Sequence, residues 1–93
     1  TRLVGLIVAS ASQQYAFEVA RLLVRKAPVV SGFEVFGPAP APISLLRGKY
    51  RFRLLVRTPR KLGLQALLRS WLGRIEWSKE VSVRVDVDPY TFM

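Results

Sequence analysis

The apolar pattern of this 93-residue chain predicts an α+β domain in the order β-α-β-β-α-β, an antiparallel sheet with two helices on one face. Three observations predict it. Residues 3–9 are continuously apolar, as expected of a strand buried on both faces. Two stretches carry apolar residues at helical spacing, one ending at Pro28 and one following Pro59. Residues 49–57 and 81–88 alternate with period two, as half-buried strands do. A chain of this length makes one small domain, which buries roughly 60–65% of its unfolded surface. With 51% hydrophobic residues and a mean hydropathy of +0.23, it is too apolar for a disordered basic tail.

Taken in order, the first strand is followed by Ser10, a helix N-cap with Gln13 three residues on as the partner in a capping box. Gln14, Glu18, Arg21 and Arg25 then line a solvent face, and Tyr15, Val19, Leu22, Leu23 and Ala27 supply the opposite one. Residues 29–32 read as a turn and 33–36 as a short strand. Alternating prolines at 38, 40 and 42 fix φ and delete donors, so residues 37–42 read as an extended connection, either a stiff loop or a docking surface for a neighbouring domain. Residues 43–47 fit one helical turn, broken by Gly48. In strand 49–57, Tyr50, Phe52, Leu54 and Val56 point one way, and Arg51, Arg53, Leu55 and Arg57 the other. Thr58 as N-cap and Pro59 at the first position open the second helix. Its buried stripe is Leu64, Leu67, Leu68, Trp71, Leu72 and Ile75, and Gly73 is a C-terminal stop. In the last strand Val81, Val83, Val85 and Val87 face the core, while Ser82, Arg84, Asp86 and Asp88 face away and Pro89 closes the strand. This is the split βαβ order of ferredoxin-like folds.

Charge is segregated. Nine of the 15 Lys and Arg lie in residues 47–74, which contain no Asp or Glu, and the flanks nearly cancel, so the formal excess of +9 belongs to this segment. Concentrated charge makes a local field, and a pI near 11.2 favours nucleic acid, an anionic membrane or an acidic protein segment as partner. With no Cys and no His, disulfides, thiolate or imidazole metal sites and Ser–His–Asp or Cys–His catalysis are excluded. No G-x-x-x-x-G-K-[ST] or G-x-G-x-x-G loop is present, so the chain on its own does not read as an enzyme. The longest apolar run is far short of the ~20 residues of a membrane span. A strand-like run starting directly at Thr1 is expected of a fragment of a longer protein.

Two candidate anion sites emerge. The first is the open sheet face, where Arg51, Arg53 and Arg57 stand with Arg84, partly offset by Asp86 and Asp88; such a face suits a phosphate backbone. Tyr50 and Phe52 point to the core, so no stacking platform is evident there. The second is Lys61, Gln65 and Arg69 at four-residue spacing near a helix N-terminus, continued by Arg60 and Thr58; an acidic peptide fits there, and an ordinary polar helix face is the competing reading. Asp86 and Asp88 lack a third oxygen ligand for a cation and read better as neutralising nearby Arg. Trp71 and Trp77 read as core or rim residues.

G-P-A-P-A-P over residues 37–42, L-R-G-K-Y-R-F-R-L-L-V over 46–56, Pro59, Leu64-Gln65 and V-D-V-D-P-Y-T-F over 85–92 resemble the extreme C-terminus of the primosomal protein N-prime family, the bacterial replication-restart DNA helicases. The likeness covers most of the chain and is strongest from residue 37 onward. It implies a cytoplasmic, nucleoid-associated parent that is an ATP-dependent 3′→5′ DNA helicase acting on stalled forks, D-loops and single strands. ATP, Mg²⁺ and a cysteine-ligated Zn²⁺ module would be held upstream, with no cofactor in this chain. The family's C-terminal domain is ferredoxin-like, resembles a small-subunit ribosomal protein, packs on the helicase core and contributes to DNA binding. On that reading the DNA contacts are Arg47, Lys49, Arg51, Arg53, Arg57 and Arg84. The resemblance also implies that Lys61 and Gln65, on the second helix, help bind the acidic tail of single-stranded-DNA-binding protein, with Arg69 on the same stripe. A free-standing ribosomal-type RNA-binding protein is the alternative.

Overall fold

The computed structural model describes residues 1–87. Its elements are β1 (Arg2–Ser10), α1 (Gln13–Arg25), β2 (Glu34–Leu46), β3 (Lys49–Thr58), α2 (Leu64–Gly73) and β4 (Val81–Val87), in the predicted order. The strands form one four-stranded sheet in the order β2-β3-β1-β4, with every pairing antiparallel. Both helices pack on one face. There Val4, Leu6 and Val8 of β1 and Leu54 and Val56 of β3 join Ala16, Ala20 and Leu23 of α1 and Leu64, Leu68 and Trp71 of α2 in one core.

β1 is central and buried on both faces, as its unbroken apolar run predicts. The helices cover Val4, Leu6 and Val8. On the other face Ile7 is only 8% exposed although no helix lies over it. The register seats Ile7 between Arg53 and Arg84, residues long enough to cover an apolar neighbour with their aliphatic stems.

Trp71 joins the two helices. Its ring meets Phe33 edge-on with centroids 5.9 Å apart, and its indole N–H donates to the Leu23 carbonyl at 3.1 Å. Leu23 lies in the last turn of α1, where carbonyls lose their helical partners, so α2 satisfies an acceptor that α1 leaves open. Arg74 donates to the Lys26 carbonyl just beyond that turn.

The structure corrects several expectations. The N-cap of α1 is Ser12, whose hydroxyl accepts from the Tyr15 amide, while Ser10 is wholly buried and its hydroxyl accepts from the Ser12 amide. Tyr15 is exposed; the helix buries the smaller Ala16 and Ala20 instead, which lets its axis sit close to the sheet. The proline-rich segment is strand, not a loop. It belongs to β2, an edge strand, where a residue lacking an N–H costs no ladder bond on the solvent side. Residues 43–47 form no helical turn. β2 runs on to Leu46 and closes a two-residue hairpin through Arg47 (φ 52°) and Gly48 (φ 78°), the paired positive φ of a type I′ turn.

The start of the second helix also differs. Thr58 is the last residue of β3, fully buried, and its hydroxyl has no hydrogen-bond partner; Pro59 and the next three residues form a turn, and the N-cap of α2 is Gly63. Val85 and Val87 do not join the core: they are 37% and 42% exposed, because the helical layer covers only the first half of β4. The expectations for Asp88 and Pro89 fall outside the described residues.

Candidate nucleic-acid interface

The sheet face away from the helices is organised by β3. Period-two alternation sends Leu54, Val56 and the inner edge of Phe52 to the core and Lys49, Arg51, Arg53, Leu55 and Arg57 outward. Because directly paired residues in a ladder share a face, the registers give this surface row by row. Glu34, Arg57 and Leu3 form the first row; Phe36, Leu55, Gly5 and Asp86 the second; Ala39, Arg53, Ile7 and Arg84 the third; Arg51, Ala9 and Ser82 the fourth. Lys49, opposite Leu46, and Arg47 at the turn continue the charge onto the hairpin tip. All six expected DNA-contact residues therefore lie on or beside one surface.

Their environments differ. Arg47, Lys49 and Arg84 are exposed. Arg51 is half-buried and donates to the Ile43 carbonyl at 2.9 Å. That carbonyl belongs to an irregular stretch where β2 bulges away from β3 between Pro40 and Leu45, so Arg51 braces the edge strand as well as adding charge. Arg53 is half-buried. Arg57 pairs with Glu34, donating through Nε at 2.9 Å and through Nη2 to the same Oε1. No acid lies near Arg57 in sequence, but Glu34, 23 residues away, stands directly opposite it in the ladder.

Phe36 was missed in the sequence. Tyr50 and Phe52 do turn toward the core side, where Phe52 packs on Phe17 with centroids 5.3 Å apart. Phe36, however, stands on the open face opposite Leu55, with the Arg57 guanidinium carbon 5.9 Å from its ring centre. The signal was present: Phe33 and Val35 pack on the core, so Glu34 and Phe36 between and after them must point the other way.

The second expected stripe does not form as one helical row. Gln65 and Arg69 are exposed on α2 at i, i+4, but Lys61 lies in the turn before it, closed by the Leu62 amide on the Pro59 carbonyl. α2 starts without a side-chain cap and with no acid in its first turn, so its N-terminal field is not offset locally. This site lies in the helical layer, on the opposite side of the sheet from the arginine rows.

A family model described as the Primosomal protein N C-terminal domain matches residues 1–90. The chain belongs to that family. Members carrying a similar domain include Replication restart protein PriA of Rickettsia prowazekii, 36% identical over 88 residues, which is 95% of this chain and 13% of the relative. The same-named protein of Haemophilus influenzae is 38% identical over 61 residues, covering 64% of this chain and 8% of the relative. That of Treponema pallidum is 34% identical over 74 residues, covering 80% of this chain and 11% of the relative. This primosomal C-terminal domain thus spans about an eighth of the first of these relatives. Among its described residues no helix is long and apolar enough to cross a membrane.

Proposed function

We propose that this chain is the accessory C-terminal domain of a cytoplasmic replication-restart DNA helicase, and that its open sheet face binds the backbone of DNA at forks, D-loops and exposed single strands. The observation that supports this most directly is the gathering of Arg47, Lys49, Arg51, Arg53 and Arg84 on one surface of a sheet whose other surface is covered by helices. Cations so placed release counterions from phosphates, a sequence-independent attraction suited to forks of any sequence. The names of the relatives support the restart role. Motor activity is assigned to the rest of the parent, as are ATP, Mg²⁺ and Zn²⁺; the lack of Cys, His and a phosphate-binding loop in this chain supports that assignment for Zn²⁺ and ATP. The free-standing ribosomal-type reading is set aside, since the matched segment is a small part of much longer relatives.

The test is charge reversal on the exposed cations. Lys49→Glu/Arg84→Glu lowers affinity for fork and single-stranded DNA in a fluorescence-anisotropy titration, while Arg25→Glu on the helical layer leaves it nearly unchanged. Equal effects from both faces would refute the assignment of DNA to the sheet.

A second reading concerns the helical layer. The uncapped, acid-free start of α2, with Lys61 just before it and Gln65 and Arg69 on its exposed face, favours binding of an acidic tail such as that of single-stranded-DNA-binding protein, shared with the upstream helicase core. Lys61→Ala in the full-length protein weakens binding of an acidic tail peptide. Unaltered peptide affinity counts against it.

A further inference from the structure

We propose that Phe36 is a stacking platform for an unpaired base, so that the open sheet face reads single-stranded character as well as backbone charge. The inference rests on the DNA-binding reading above and deepens it.

Phe36 is 47% exposed and is the aromatic residue in the rows of this face, which it shares with arginines, small and aliphatic residues and the acids Glu34 and Asp86. An aromatic ring left half in water gains little from folding, whereas a base laid on it buries both π-faces. The local backbone explains how the ring is held. Immediately after Phe36 the strand bulges between Phe36 and Ala39, with Gly37 at φ 120°. A side chain at Gly37 would meet the Arg53 carbonyl oxygen at 2.7 Å, so only glycine fits there. Bulges of this kind re-aim the neighbouring side chain and end regular pairing.

The ring also has a cation beside it. The Arg57 guanidinium sits 5.9 Å from the ring centre, and Arg53 is the next outward residue but one along β3. A base on the free face of Phe36 would therefore have Arg57 beside it, with Arg53 further along β3 and the acids Glu34 and Asp86 in the neighbouring positions. Glu34 holds Arg57 in the absence of DNA, through contacts of the same chemistry a phosphate oxygen would make. In a duplex the bases are stacked on one another and do not offer a π-face to a sheet, so this contact favours the single-stranded arm of a fork.

The experiment compares two single strands of equal length and charge, one of thymidines and one abasic throughout, binding to the 93-residue chain at fixed low salt. The base-bearing strand binds tighter by roughly 5-fold or more, the lower range of a single stacking contact. Phe36→Ala removes that preference and leaves affinity for the abasic strand unchanged; Phe36→Tyr restores it, which separates stacking from a folding defect. Equal affinity of the wild type for both strands overturns the proposal and leaves backbone binding standing. A Phe36→Ala loss of the same size on both strands also overturns it, marking the ring as structural or as a docking surface for another protein segment. Binding to neither strand removes the DNA-binding reading and the proposal together.

Discussion

Arg57 shows how a single register position changes the meaning of a charge. On sequence it is one of three outward arginines on a strand without acids. In the sheet it faces Glu34, and its guanidinium is shared between that carboxylate and the Phe36 ring. Both members of the pair are about half exposed, so the pair itself contributes little stability, within about 1 kcal/mol. If the sheet face binds DNA as proposed, its consequence is for binding: DNA displaces Glu34 before Arg57 contributes. Glu34→Gln therefore raises affinity for single-stranded DNA and makes the dependence of log K on log salt steeper by about 0.7, one more phosphate neutralised. Unchanged affinity and slope in that variant would remove Arg57 from the interface. The outward direction of Arg51, Arg53 and Arg57 was legible from period two alone. The Glu34 partnership was not, because it depends on which residue of another strand lies opposite.

At the scale of elements, the strands and helices with clean periods were readable and their ends were not. The order, the antiparallel sheet and the shared helical face follow from the alternation at 49–57 and 81–87 and from the helical stripes that include Leu23 and Trp71. β2 was misread because proline argues against a central strand, and the edge position that tolerates it is a tertiary fact. The start of α2 was misread because Thr58-Pro59 is a good local helix signal; β3 instead extends through Thr58, which pairs with Arg2. That shift moves Lys61 off the helix. The contact that fixes α2 to α1 is one no local pattern shows: the Trp71 indole donating to the Leu23 carbonyl. Trp71→Phe keeps most of the ring packing but leaves that buried acceptor without its donor. The expected cost is about 1–3 kcal/mol, and at about 4–8 °C per kcal/mol for a domain of this size the melting midpoint falls visibly. Trp77→Phe, at a half-buried rim position, costs less. Equal midpoints for the two variants would contradict the role given to Trp71.

Across the whole molecule, the acid-free segment from Arg47 to Arg74 divides between two surfaces. Arg47 to Arg57 supply the hairpin tip and the open sheet face; Lys61 and Arg69 belong to the helical layer on the other side of the sheet. On the proposed reading, one domain would present DNA and an acidic partner with separate sites. The division was partly legible, since period two and period 3.6 already assign the two groups of cations to different faces. What was not legible was the completion of the sheet face by residues from β2 and β4, which only the strand order brings alongside β3.

The central claim is that the open face binds DNA through about four or five phosphates, using Arg47, Lys49, Arg51, Arg53 and Arg84. The most direct measurement is the affinity of the 93-residue chain for a single-stranded oligonucleotide as a function of salt. A linear fall of log K with log salt at a slope of roughly −3 to −4 is the predicted result. A slope near zero, or no measurable binding at low salt, would contradict it.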